Sequence, residues 1–472
     1  MSASMDRLVA GFGGGVAISG GAVAVLRPDS LRGPAMDALV RDAVFAKGAD
    51  REAARQLLWE LGQVTGVRPA SIHDLYIARG RGECGGFTVP AMNVRMMAYD
   101  TARAVFRAAN ACDGAAIILE IARSEIAYTE QRPAEYVSVI IGAALREGYR
   151  HPLFIQGDHC QVNPKKYAAD AEGEVGEVKK LIAEEVAAGF YNIDVDTSTL
   201  VNLDFPTLDE QQQVNYERAA EITRFIRERE PEGVTVSVGA EIGEVGHKNS
   251  TVEELHAFMQ GYNRTLQAMD GDLVGISKIS VQTGTSHGGV VLPDGSIADV
   301  KLDIDALEAL SRAAQKDYGL GGAVQHGAST LPGNAFGNFP RVETAEIHLA
   351  TNFQNIVFDH PALPADFRAR MYQWLDENAQ GERGANDSDE QFYYKTRKKA
   401  IGPFKQELWA LPEEIRQQIS SDLQKTFAFL FEQLGVGGTA EVVERFIDAP
   451  AVQHGALAGI GGIAVDDPDA GE

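Results

Sequence analysis

Between Ser71 and Thr351, short runs rich in Val and Ile alternate with longer stretches of helical period. That alternation predicts an α/β chain closed as a (β/α)8 TIM barrel, with an N-terminal extension and a helical C-terminal segment. Two further observations agree. Eight such runs occur over roughly 280 residues, the count and length that close a barrel. No GxGxxG follows the first run, which removes the main support for an open, doubly wound dinucleotide fold.

Residues 1–70 read as the extension, of unknown role. The uncharged stretch Leu8–Leu26 is too rich in glycine for a spanning helix. It reads instead as short strands Val16–Ser19 and Ala22–Leu26 around a Gly20-Gly21 turn. Helical patterning follows at Ala35–Val44 and Arg51–Leu61.

The barrel unit is expected over residues 71–435. Its strand runs are Phe87–Val94, Ala115–Ile121, Pro152–Gln156, Tyr191–Val195, Val234–Val238, Leu273–Val281, Gly322–Gln325 and Glu343–Thr351. Between them lie the helical segments Tyr99–Ala111, Pro133–Glu147, Glu177–Ala188, Asp209–Glu228, Thr251–Met269 and Ile304–Lys316. In the third of these, Val178, Leu181, Ile182 and Val186 form one apolar stripe, and Gly189 follows as a stop. Tyr394–Leu408 and Pro412–Leu434 read as helices after the barrel, and Gly381–Glu390 as an exposed loop. Residues 436–472 are rich in Gly and Ala and end acidic, which predicts a flexible tail.

Lys plus Arg number 43 against 67 Asp plus Glu, a formal net charge of −24. That balance argues against a general nucleic-acid binder, and no segment reads as a membrane span. Cys84, Cys112 and Cys160 form no CxxC pair, so a disulfide scaffold is not expected and a cytoplasmic location is.

A barrel carries its chemistry at the C-terminal ends of its strands. There the third run leads into Gln156-Gly157-Asp158-His159-Cys160, the sixth into Gly284-Thr285-Ser286-His287-Gly288, and the seventh into His326-Gly327-Ala328-Ser329. Three imidazoles, His159, His287 and His326, thus meet on one rim, the donor set of a catalytic zinc site with an open position. Asp196 and Glu241, at the fourth and fifth strand ends, are further candidate ligands. Gly288, Gly327, Ser329 and Thr351 offer backbone N–H and hydroxyl donors in the quadrant where barrels bind phosphate. Asp158, beside a ligand, is placed for proton transfer.

Taken in order, these segments resemble the class II, zinc-dependent fructose-bisphosphate and tagatose-bisphosphate aldolases from about Ser71 to Leu408. Val89-Pro90-Ala91-Met92-Asn93-Val94 is similar to the family's VPAFNV, Asp158-His159-Cys160 to DHC, and Val195-Asp196-Thr197-Ser198 to IDGS. Residues 236–243 resemble VSVEAELG, 284–288 GTAHG, 326–329 HGAS and 349–351 IAT, while Arg397-Lys398 and Gly402-Pro403 resemble the C-terminal RK…GP. The resemblance implies a Zn2+-dependent lyase acting on a small sugar phosphate, foremost fructose 1,6-bisphosphate, cleaved to dihydroxyacetone phosphate and glyceraldehyde 3-phosphate. His159, His287 and His326 would hold zinc, and Asp196 and Glu241 a second divalent or monovalent cation. Asp158 would move the proton of the C4 hydroxyl and Asn93 would contact the enediolate. Gly288, Gly327, Ser329 and Thr351 would bind one phosphate and Arg397 the other. A homodimer or homotetramer is implied as well.

The sequence departs from the family at Asn249, which replaces a carboxylate used in proton exchange, with Glu253 and Glu254 nearby. It also departs at Ala122, Thr330 and His348, the last standing for Asn. Other readings stay open at this point: an aldolase for another ketose phosphate, a noncatalytic barrel subunit, or a Schiff-base enzyme using Lys278.

Overall fold

The structure is a computed structural model and describes residues 3–243, 248–285, 292 and 302–453. Eight parallel strands form the centre: β1 Val89–Asn93, β2 Ile118–Ala122, β3 Leu153–Gln161, β4 Asn192–Asp196, β5 Ser237–Glu241, β6 Lys278–Val281, β7 Ala323–Gln325 and β8 Glu346–Leu349. Each pairs with the next in sequence, and β8 pairs back onto β1 through Glu346 opposite Val89, so the sheet closes. Helices between the strands cover the outside, as parallel strands buried on both faces require.

Local chemistry fixes these elements. Pro133–Glu147 starts with Pro at its first turn and stops at Gly148, whose φ of 68° is a left-handed end suited to glycine. Leu208–Arg227 and Val252–Met269 each begin with a capping box, Thr207 with Glu210 and Thr251 with Glu254.

The N-terminal mouth is plugged by helix His73–Gly80, preceded by a two-residue strand, Pro69–Ala70, that pairs with β3. Tyr76 of that helix is fully buried and donates its hydroxyl to Glu346 inside the barrel. Residues 3–70 pack on the barrel as helices Ala3–Ala10, Pro34–Phe45 and Ala49–Thr65 with a Val16–Ser19/Ala22–Val25 hairpin. Met36, Leu39, Leu57 and Leu58 join the same apolar core as the barrel helices. Gly142 marks this contact: a Cβ there would lie 2.2 Å from Val40.

The C-terminal segment supplies the long helix Glu413–Gln433 and a short helix Thr439–Phe446 that buries Val443. Trp59 then donates its indole N–H to the Val452 carbonyl at 3.1 Å, joining the two ends of the described chain. No helix among the described residues is long and apolar enough to cross a membrane.

Candidate active site

β3 carries two consecutive site residues, which a regular strand would send to opposite faces. Its pairing with β4 shifts register between Gly157 and Cys160, and His159 has a φ of 42°. This bulge turns His159 inward beside Asp158, the re-aiming that bulges provide near active sites. Asp196, ending β4, fixes the ring: its Oδ2 lies 3.2 Å from His159 Nδ1 and accepts from Gln161 Nε2 at 2.5 Å. Its Oδ1 accepts from the Ser198 backbone and hydroxyl at 3.1 and 2.7 Å.

Glu241, ending β5, reaches between two imidazoles. Its Oε1 is 3.3 Å from His159 Nδ1 and 3.4 Å from His326 Nε2. All three side chains are buried, and their candidate ligand atoms lie within 4.8 Å of one another. Glu241 Oε1 accepts no hydrogen bond from the described residues despite being out of reach of water. An orphaned carboxylate oxygen between two imidazoles fits a divalent cation, which would satisfy all three. His287 and Gly288 lie outside the described residues.

Asn93, ending β1, donates from Nδ2 to Asp158 Oδ2 at 3.1 Å and to Glu120 Oε1 at 3.0 Å, while its own Oδ1 has no hydrogen-bond partner among the described residues. It thus bridges two carboxyl groups in different environments. Burial and the neighbouring Asp158 push Glu120 up to about 8. Burial opposes charge on Asp158 too, but His159, His348 and the Asn93 hydrogen bond override it and hold its pKa well below the usual carboxylate range. The two carboxyl groups are thus pushed in opposite directions, the separation an acid–base site needs.

Below these residues lies an ionic layer. Lys278 Nζ is fully buried and donates to Gln156 Oε1 at 2.7 Å and Glu346 Oε1 at 2.6 Å, with Asp194 Oδ1 at 2.9 Å. Gly239 makes the room: a Cβ there would sit 2.3 Å from Asp194 and 2.8 Å from Lys278. Burial disfavours the ammonium, yet Asp194 and Glu346 outweigh it and raise the Lys278 pKa. A charged, doubly paired lysine is not a Schiff-base nucleophile, so this rival loses its residue. Glu346 is pushed up by burial but drawn down to about 2 by Lys278 and His348.

His348 links the two layers, with Nε2 2.8 Å from Glu346 and Nδ1 3.1 Å from both Glu120 and Asp158. Burial resists its protonation, but Glu120 and Asp158 hold its pKa well above the usual histidine value. Glu120, Asp194, Glu346 and His348 escaped the motif reading as functional groups. One signal could have found them: charged residues two apart inside barrel strands, Asp194 with Asp196 and Glu346 with His348, must share the inner face.

The expected phosphate quadrant is assembled in part. Gly327 (φ 68°) turns the chain into a short helical turn, and Ser329 Oγ accepts from the Ala350 backbone N–H at 2.7 Å. Thr351 follows at once and opens helix Thr351–Asp359. Arg397 does not join this group. It is buried in a two-pronged pair with Asp359 at 2.7 and 3.1 Å and donates to Asn355 at 2.6 Å. Asn249 donates to Asp303 at 3.0 Å. Glu254 is engaged by its helix cap and by Lys248, and Glu253 is exposed.

Comparison with known proteins adds the family. The model of the class II fructose-bisphosphate aldolases matches residues 81–406. Among solved structures, a fructuronate-tagaturonate epimerase from Cohnella laeviribosi is 13% identical, covering 84% of this chain and 90% of that one, at a TM-score of 0.53. A probable tagatose 6 phosphate kinase from Sinorhizobium meliloti is 15% identical, covering 77% and 95%, at 0.51. A putative fructose-1,6-bisphosphate aldolase from Coccidioides immitis is 17% identical, covering 78% and 96%, at 0.45. At these identities the likeness of the first two structures speaks for the fold alone; the family match spans more than half of the sequence and includes β1 to β8. The chain belongs to the class II fructose-bisphosphate aldolase family.

Proposed function

We propose that this protein is a zinc-dependent aldolase that cleaves and forms a ketose phosphate, with fructose 1,6-bisphosphate as the first candidate substrate. The observation that supports it most is the convergence of His159, His326 and Glu241 beside the Asn93–Asp158 pair. His159 and His326 would hold the cation together with His287, while Glu241 and Asp196 would serve a second or alternative position. When bound, the divalent cation supplies Lewis-acid stabilisation of negative charge on the ketose carbonyl oxygen, worth several kcal/mol. Asp158, kept ionised, takes the proton from the C4 hydroxyl as the C3–C4 bond breaks and returns it in the reverse direction. Asn93 holds Asp158 in place and has an unused Oδ1 to offer a substrate hydroxyl. Gly327, Ser329 and Thr351 would hold one phosphate at the start of helix Thr351–Asp359.

The pairing of Arg397 with Asp359 favours a second reading, because it occupies the cation expected to take the other phosphate. A keto-sugar acid carries one carboxylate in place of two phosphates, so it calls for one anion contact rather than two. Breaking and re-forming its C–C bond before release would be epimerisation, the activity named for the Cohnella laeviribosi structure.

A substrate panel followed by NMR tests both, with metal content measured alongside. Free triose phosphate from a bisphosphate supports the aldolase. Interconversion of sugar acids without free fragments supports the epimerase. His326→Ala should lose the cation and slow either reaction by about a thousandfold, the scale of several kcal/mol. Metal-free wild-type protein of full activity would overturn both.

A further inference from the structure

We propose that this chain carries a second anion-binding pocket, outside the barrel, for a small phosphorylated molecule with at least two negative charges. A cavity of about 620 Å3 lies between helices Pro34–Phe45, Ala98–Cys112 and Glu413–Gln433. That size suits a metabolite. No residue of the metal site lines it.

Five arginines face it: Arg41, Arg103, Arg107, Arg146 and Arg416. Such crowding is unfavourable unless anions answer it, and the carboxylates in place, Asp37, Asp100 and Glu413 in the lining and Glu147 behind it, are one fewer than the arginines. Asp100 holds Arg416 through one nitrogen at 2.9 and 3.1 Å, Glu147 holds Arg103 and Arg107 at 2.5 and 3.1 Å, and Asp37 holds Arg146 at 2.9 Å. Arg41 has no carboxylate partner among the described residues; its guanidinium lies over the Phe45 ring, 5.4 Å from the centroid. Neither Arg416 Nη2 nor either terminal nitrogen of Arg103 makes a hydrogen bond among the described residues.

Arg107 and Arg146 are engaged through all three nitrogens, but Arg103 and Arg416 are held in place with donors to spare, an arrangement suited to phosphate oxygens. The half-buried side chains of Arg103, Arg107 and Arg416, 20%, 28% and 25% exposed, are fixed yet reachable from solvent. Ser421 and Gln424 add neutral polar groups to the wall. A positive pocket also stands out on a chain of net charge −24, where anions are otherwise repelled. The pocket is joined to the site by a short stretch: Tyr99 and Asp100 open the helix that follows Asn93 by a few residues.

Calorimetric titration of the chelator-treated full chain with inorganic pyrophosphate and with ADP tests the proposal. One saturable event is expected for at least one probe, weakening with added salt. Arg41→Ala, which removes no hydrogen bond among the described residues, and Arg103→Gln should each weaken it by about tenfold, the order expected for a charge-assisted contact. His326→Ala should leave it in place. Absence of binding to either probe, binding indifferent to both arginine substitutions, or binding lost in His326→Ala would overturn the pocket. So would arginine substitutions that change only the oligomeric state, since the face would then be an interface between copies.

Discussion

The imidazole of His348 lies over that of His326, ring centroids 4.0 Å apart and planes 19° from parallel. His348 stands where the family has Asn, and it reaches Asp158 and Glu120 at 3.1 Å each. With Asp158 as the proposed base, His348 is placed to steer it rather than to replace it. His348→Asn should lower kcat by about 10- to 100-fold, the range for groups that orient a metal site, with KM nearly unchanged. Metal analysis beside steady-state kinetics checks this; a variant that loses its cation would make His348 a ligand instead.

Lys278 carries a structural expectation. Lys278→Met leaves Asp194 and Glu346 buried without their cation, which should cost about 3–5 kcal/mol. Urea denaturation measures it. Borohydride treatment of the wild type with substrate should yield no lysine adduct.

His73 gives a pH expectation. Burial, with a smaller push from Arg227, lowers its pKa to about 4. The folded chain thus refuses a proton that the unfolded chain accepts below about 6.5. Stability from this group is fully present above about 6.5 and falls away as the pH drops toward 4, a loss of about 3 kcal/mol. His73→Gln should flatten that part of the profile when unfolding free energies are compared at several pH values.

Gly80 ends the helix that plugs the barrel, and a Cβ there would meet the Gly319 carbonyl oxygen at 2.2 Å. Backbone cannot swing aside as a side chain can. Gly80→Ala should destabilise by about 1–3 kcal/mol, read as a lowered Tm, despite the better helix propensity of alanine.

The barrel was legible because helices such as Pro133–Glu147 carry both a period and punctuation, and the structure places that helix on the same residues. Strands were less well bounded: every run begins one to five residues before its strand, and two runs stop three or more residues short at the C-terminal end. The third run stops at Gln156, whereas β3 continues to Gln161. The fifth ends at Val238, whereas β5 continues to Glu241. These are the ends that face the site, so their residues are polar and hydrophobicity under-reports them. The plug helix His73–Gly80 went unread because it is one short piece without a full amphipathic repeat. Within the site, Asp158, His159, Asp196, Glu241 and His326 come together as the motif order implied. Glu120, Asp194 and Glu346 did not show, since single charges inside apolar runs look like strand edges until closure gives them one interior. The isolation of Arg397 also lay beyond the sequence, because Asp359 is a tertiary partner.

The ionic layer around Lys278 restricts how such a barrel can change over generations. An apolar interior can be repacked one side chain at a time, each exchange nearly neutral. Here Lys278, Asp194, Glu346 and Gln156 satisfy one another, so replacing Lys278 strands two buried carboxylates and replacing either carboxylate or Gln156 removes one of the lysine's partners. Change in this layer is therefore expected to come by exchanging the set together, which makes the floor of the barrel harder to alter than its rim.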